Sequence, residues 1–316
     1  MKPIEIVTQA LELIAALAAA PLFLGWVNRC RAWLQNRRAP SLWLPYRGIR
    51  KLFHKDAVIA ENASPVFRVA PYVVFGAMVV AAGIIPSMGT RLPFTVAADA
   101  IALVGLLATA RVFLSLAAMD IGTAFGTLGA RREMMVGFLA EPALLMVIFV
   151  ASLISATTAL PAIAENLATQ ALGLYPSLAF TAVAFTLVML AENARIPIDN
   201  PATHLELTMI HEAMLLEYSA RHLALMEWAA ALKLFNYACI GFALFVPWGV
   251  STGAGSPLAL AASIPLLAVK LTAAGAGLAL IETLSAKLRV FRAPEFLATA
   301  FLFAVLGLLV HLLLGG

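Results

Sequence analysis

The sequence predicts an all-α, polytopic membrane protein: a single integral domain over residues 1–316 with about eight spanning helices. Three observations carry that prediction. Of 316 residues, 62% are hydrophobic and only 12% charged, and the mean hydropathy is +0.94. Uncharged runs such as 142–160 and 296–310 approach the ~20 apolar residues that a spanning helix needs. Lys and Arg gather in every second connecting segment, as they do when a chain crosses a bilayer repeatedly. Together these exclude a water-soluble enzyme.

The first span is expected over 4–27. Lys2, an apolar stretch and the small run Ala18-Ala19-Ala20 imitate a cleavable signal peptide. Glu5 and Glu12 interrupt that pattern, and the apolar stretch continues to Val27, so it reads as a retained helix. Segment 28–70 follows with Arg29, Arg31, Arg37, Arg38, Arg47, Arg50, Lys51, Lys55 and Arg68. Spans two and three, 71–89 and 97–119, enclose Arg91. Segment 120–135 carries Arg131 and Arg132, and spans four and five are placed at 136–160 and 175–191. Segment 192–222 carries Arg195 and Arg221. Spans six and seven, 223–249 and 258–281, lead to segment 282–293 with Lys287, Arg289 and Arg292, and 294–314 forms the eighth. Only Lys2 and Arg91 fall on the other side, so the four basic segments are expected in the cytoplasm and both termini outside. Trp26 and Trp228 near the inner boundary, with Trp248 and Tyr175 near the outer one, fit aromatic belts.

Several chemistries drop out. Cys30 and Cys239 stand far apart with no CxxC, and a pair of intramembrane His residues is missing, so iron-sulfur, structural zinc and haem sites held by this chain are excluded. There is no GxGxxG or GK[ST] phosphate loop. The net charge of +4 is the surplus of the basic segments, and nothing calls for nucleic acid.

The stretch NPATHLELTMIHEAMLLEY, 200–218, is polar on every side when wound as a helix, for which Asn200-Pro201 or Thr203 with Glu206 supplies a start. On that helix His204, His211 and Tyr218 form one stripe. His204 and His211 are two turns apart, about 10.5 Å, too far to grip one ion, and His211-Glu212 lacks the second His of a zinc-protease motif. Two readings stand. One is a solvated loop helix with Glu217 and Arg221 paired; the other is an element wedged between the bundle and a partner, its acids and His poised to pass protons.

Ionisable residues inside spans are costly and usually mark a pathway. Arg111, Glu141, Glu192 and Glu227 are expected in the inner parts of spans three to six, Lys233 and Lys270 near the midplane, and Glu282 at the inner end of span seven. Each has a structural alternative: Arg111 could snorkel, Glu141 beside Pro142 could satisfy a helix end, and either Lys could neutralise a buried Glu. Four helices contributing acids to one half of the membrane favour proton translocation. Glu12 and His311 read as packing residues.

AENARIPIDNPATHLELTMIHEAMLLEYSARHLALMEWAAALKL, 191–234, closely resembles the membrane-anchor subunit of energy-converting, membrane-bound nickel-iron hydrogenases of the hydrogenase-4 and formate hydrogenlyase type. More remotely it is similar to subunit 1 of NADH:quinone oxidoreductase, complex I, through Ala191, Glu192, Arg195, Pro197, Asp199 and then Glu217-Tyr218-Ser219. Blocks 31–56, 67–76, 119–145 and 284–297 agree in order. The chain departs from the family at Arg37-Arg38-Ala39-Pro40, where RRGP is usual, at Arg131, where a small polar residue is usual, and at His54-Lys55-Asp56.

The resemblance implies a complex I subunit 1-like fold in the prokaryotic cytoplasmic (inner) membrane. It implies a chain without cofactors of its own, docking hydrogenase large and small subunits and an iron-sulfur protein onto antiporter-like membrane subunits. Those partners would hold iron-sulfur clusters and a nickel-iron site, with membrane lipid around the bundle and quinone as a possible ligand. The resemblance carries over Glu141, Glu192, Asp199, Glu206, Glu212 and Glu217 as acidic positions and Arg132 and Arg195 as basic ones, with Lys270 and Glu282 in less specific blocks. Joined to the reading of the intramembrane groups and the polar stretch, this gives an expected proton pathway that also includes Glu227 and Lys233, and expected partner docking by Arg37, Arg38, Arg131, Arg132, Arg195, His204 and His211. Two alternatives are the quinone-chamber subunit of a complex I-like dehydrogenase and a free-standing ion transporter. The transporter's usual sign, paired interrupted helices, is not evident.

Overall fold

The computed structural model describes residues 3–90, 99–169, 175–199, 209–251 and 257–314. The described chain is helical: α1 (Pro3–Leu34), α2 (Leu44–Phe53), α3 (Pro65–Ile84), α4 (Ala100–Asp120), α5 (Ala124–Ser155), α6 (Leu160–Thr169), α7 (Pro176–Glu192), α8 (His211–Leu215), α9 (Ala220–Phe245), α10 (Pro257–Leu284) and α11 (Ala293–Leu314). Seven of them are long and apolar enough to cross a membrane, and α7 is a shorter apolar helix. The eight predicted spans correspond to α1, α3, α4, α5, α7, α9, α10 and α11.

Local chemistry sets the boundaries. Ser64 accepts the Val66 amide and Pro65 opens α3, so that helix begins before 71. Asp99 accepts the Ile101 amide at the start of α4. Thr123 accepts the Gly126 amide, and α5 therefore starts at Ala124, twelve residues ahead of the predicted span. The expected helix over 200–218 is not continuous. Its part before 209 lies outside the described residues, α8 is a single short turn, and extended Ser219 followed by Ala220 at φ 47° separates it from α9.

The helices form a row. α10 packs on α1; α1 and α3 flank α9, with α2 laid across α1 and α9; α4 joins α3 to α5; α7 and α11 close the far side against α5. Buried Phe67, Met78, Leu103, Leu232 and Tyr237 fill the interior.

Contacts between helix ends sort into two faces. On one, the Ser219 hydroxyl donates to the Val58 carbonyl and accepts its amide, Ser64 N–H donates to Asp120, and Leu288 N–H donates to the Pro197 carbonyl. On the other, Ser251 pairs with Met88 and Thr90, and Ala100 N–H donates to the Thr158 carbonyl. Glu12, read as a packing residue, is 1% exposed on this second face and accepts the Met88 and Gly89 amides at 2.7 and 2.8 Å, tying α1 to the turn after α3.

Candidate functional site

A chamber of about 670 Å³ opens between α1, α2 and α9 on the face that carries the basic segments. Leu24, Leu44, Ile49 and Leu234 give it apolar walls, and α2 lays Arg47 and Lys51, one turn apart, along its border. Its inner wall is ionisable: Glu192 from the end of α7, His211 and Glu212 from α8, Glu227 and Lys233 from α9. Gly48 of α2 faces the Glu227 carboxylate across the chamber border.

Behind that wall runs a chain of ion pairs. Lys233 Nζ lies 3.0 Å from Glu192 Oε2, the other Glu192 oxygen accepts from Arg111 Nη2, and Arg111 Nη1 reaches Glu141 Oε1 at 2.7 Å. Arg111 Nε stands 3.7 Å from Glu133 Oε1. The Glu192 side chain is 1% exposed, that of Arg111 5% and that of Lys233 15%, whereas Glu141 is 35% exposed on the flank of α5. Gly137 makes room for the guanidinium, because any Cβ there would collide with it. Arg111 therefore does not snorkel; it is gripped by acids from α5 and α7.

The charge count is uneven. Three carboxylates, Glu192, Glu133 and Glu141, face two cations, Arg111 and Lys233. The two most buried of these carboxylates, Glu192 and Glu133, are the ones that Arg111 and Lys233 serve, as burial of charge requires, while Glu141 is partly exposed.

A second group sits toward the basic face. Glu282 receives Arg195 at 3.3 Å and Arg31 at 3.4 Å, joining the loop after α7 and the end of α1 to the end of α10. Asp199 accepts the Ile210 and His211 amides at 3.3 and 3.1 Å and lies 3.8 Å from Lys287, while Arg132 donates to the Met209 carbonyl at 2.7 Å. These contacts pin α8 against the bundle. Burial, and then the charge of Lys233, hold the His211 imidazole down to about 4, against a smaller opposing pull from Asp199. Burial also lowers Arg195, with Glu282 opposing, and it raises the Tyr218 phenol, whose hydroxyl donates to the Phe67 carbonyl at 3.0 Å.

Of the residues singled out in the sequence, Glu192, Glu212, Glu227, Lys233, Asp199, Arg195 and His211 line one chamber, and Glu141 connects to it through Arg111. Others stand apart. Lys270 donates to the Val246 and Trp248 carbonyls at 2.6 Å, closing the far end of α9. Glu217 is exposed, and no ion pair joins it to Arg221 among the described residues, because the break at Ser219 removes the shared helix that the pairing needed. Arg37, Arg38 and Arg131 are exposed on the basic face, while His204 and Glu206 lie outside the described residues. Sequence reasoning missed Glu133, which it placed in a loop, as well as Arg31, Lys287 and the fully buried Tyr237. The cap at Thr123 was the available signal for Glu133.

Among the described residues no group of three or more His, Cys, Asp or Glu could hold a metal ion. The arrangement has the room and the mixed apolar and ionisable lining to shelter an amphiphilic ligand.

Comparison with known proteins gives a consistent picture. A family model described as NADH dehydrogenase matches residues 8–313. Hydrogenase-4 component C of Escherichia coli (strain K12) is 36% identical over 242 residues, covering 75% of this chain and 74% of that protein. Formate hydrogenlyase subunit 4 of the same organism is 32% identical over 299 residues, covering 94% and 95%. In fold, the chain superposes with a TM-score of 0.82 on a chain of the membrane-bound sulfane sulfur reductase, an archaeal respiratory membrane complex, at 19% identity over 96% of this chain and 98% of that one.

Proposed function

The chain belongs to the NADH dehydrogenase family as a multi-pass membrane subunit of a hydrogenase-4/formate hydrogenlyase-type or complex I-like respiratory complex, and from that premise we propose that it couples electron transfer in a docked redox arm to proton or sodium movement. The observation that carries this reading is the Lys233–Glu192–Arg111–Glu141 chain, which links the chamber wall to the flank of α5. A charge that changes within ~4 to 6 Å of a carboxylate shifts its proton affinity by roughly one to three pK units, so electron arrival above the chamber would reach Glu192 and, through Arg111, Glu141.

The docking half of the proposal places partners on two surfaces. Arg37, Arg38, Arg131 and α8 face hydrogenase large and small subunits and an iron-sulfur protein, which hold the iron-sulfur clusters and the nickel-iron site; this chain holds none. Glu141 emerges among exposed Phe138 and Leu145 on α5, and a carboxylate in a membrane-facing apolar stripe calls for a polar partner, which an antiporter-like subunit supplies. The basic face lies in the cytoplasm and the termini outside the inner membrane. Mild-detergent purification tests docking: the chain should arrive with iron-sulfur polypeptides and membrane partners. Recovery of the chain alone, moving ions by itself in liposomes, would favour the transporter reading instead.

One observation favours the quinone-chamber alternative. The chamber lies between α1 and α9, and its volume is that of an ordinary small-ligand site, with apolar walls leading to Lys233, Glu192 and His211. A quinone head group would meet those three residues while its tail lay along Leu24 and Leu234. Bound quinone in the purified complex distinguishes the two.

A further inference from the structure

Between 28 and 55 the chain carries eight Lys and Arg and no Asp or Glu, and α2 lies within that run. Ile49 is buried where α2 packs on α1 and α9. The outward side carries Trp43, Tyr46, Arg50 and Phe53, spaced three, four and three residues apart, so that they form one stripe. Trp43 is 57% and Phe53 43% exposed, and the Trp43 and Tyr46 rings meet with centroids 5.6 Å apart. Arg47, Arg50 and Lys51 are exposed alongside, and none of them pairs with a carboxylate among the described residues.

We propose that this stripe binds an anionic phospholipid of the bilayer, with its phosphate on Arg50, Arg47 and Lys51 beside it, and its acyl chains against Trp43 and Phe53. The site needs only the membrane location of the chain and is independent of proton or sodium coupling.

Depth selects a lipid. Gly25 of α1 admits the Leu42 carbonyl, which any Cβ there would strike. At 1.5 Å rise per residue Gly25 lies about 33 Å from the start of α1 at Pro3, close to where a ~30 Å hydrocarbon core ends. From there the Tyr46 side chain reaches lower and donates to the Ala18 carbonyl, while the Trp228 indole of α9 donates to the neighbouring Leu17 carbonyl at 3.1 Å. Two amphipathic aromatics anchored side by side on α1 mark the inner boundary, the level at which such rings collect. α2 therefore lies along the membrane surface, with its outward stripe at headgroup height.

Charge selects the kind of lipid. Exposed rings alone would suit any headgroup, whereas three cations without a counter-charge favour an anionic one. A guanidinium grips a phosphate through two parallel hydrogen bonds, and the flanking rings supply the apolar contact that the chains need.

The test uses the intact complex. Native mass spectrometry after delipidation, with phosphatidylglycerol or phosphatidylcholine of the same chains added back, should show tighter retention of phosphatidylglycerol. Arg50→Gln should cut that preference about fivefold. Trp43→Ala should weaken both lipids alike, and Arg292→Gln, an exposed cation of the same face before α11, should change neither. Inorganic phosphate at equal ionic strength should not displace the lipid. A cryo-electron microscopy map of the native complex in nanodiscs containing phosphatidylglycerol should show headgroup density at Arg50. That map needs no variant, so an Arg50→Gln chain that fails to assemble leaves the test intact. A preference unchanged by Arg50→Gln, displacement by inorganic phosphate, or a map in which Trp43 and Arg50 are bare or covered by a polypeptide overturns the site.

Discussion

Lys233 on α9 lies 3.0 Å from Glu192 at the end of α7, and through that contact the chamber wall reaches the buried Arg111. The pair closes one end of the cluster, and partly exposed Glu141 stands at the other.

Arg111 is the member that the fold can least spare. Arg111→Met leaves Glu192 and Glu133 buried without their shared cation, and breaking a buried pair from one side costs about 3–5 kcal/mol. The melting temperature in detergent should fall sharply. Adding Glu192→Gln should recover part of the loss, because it removes one of the stranded charges. A double variant that melts at the temperature expected from simple addition would argue against direct coupling of the two.

Acid should loosen the protein through His211. Its folded-state value is about 4, against 6.5 when unfolded, so the unfolded chain binds more protons below 6.5. Its contribution is fully present above pH 6.5 and is lost as pH falls toward 4, reaching about 1–2 kcal/mol by pH 5 for a side chain that borders a chamber. Melts at pH 7 and pH 5 should differ more for the native protein than for His211→Asn. Equal differences would remove His211 as the cause.

Tyr218 pins the start of α9. Its ring stacks on Phe67 at 4.0 Å and its hydroxyl donates to the Phe67 carbonyl at 3.0 Å. Tyr218→Phe should cost about 1 kcal/mol and leave ion coupling intact, while Tyr218→Ala, losing the buried ring, should cost about 3–5 kcal/mol. Chemical denaturation of the two variants separates the hydroxyl from the ring. A Phe variant as unstable as the Ala variant would contradict that division.

Hydropathy and basic segments made the spans legible, and the acids of 191–234 pointed at the chamber. What the sequence hid has physical causes. Arg131 and Arg132 made 120–135 look like a loop, so Glu133 was passed over; the Thr123 cap carries the helix straight through them. An apolar window ran span six to 249, but α9 ends at Phe245, and the freed Val246 and Trp248 carbonyls capture Lys270 away from the acids. Helical periodicity aligned Tyr218 with His211, yet α8 ends at Leu215 and Tyr218 follows a turn, so no helix joins the two. The pairing of Glu192 with both Arg111 and Lys233 depends on which helices are neighbours, and a sequence pattern does not encode that.

The most direct measurement is ions moved per electron by the intact complex in sealed vesicles, for the native protein, Glu192→Gln and Glu141→Gln. The account predicts that both variants assemble and transfer electrons while ion movement collapses. Normal ion movement in both, at unchanged electron flux, would contradict it.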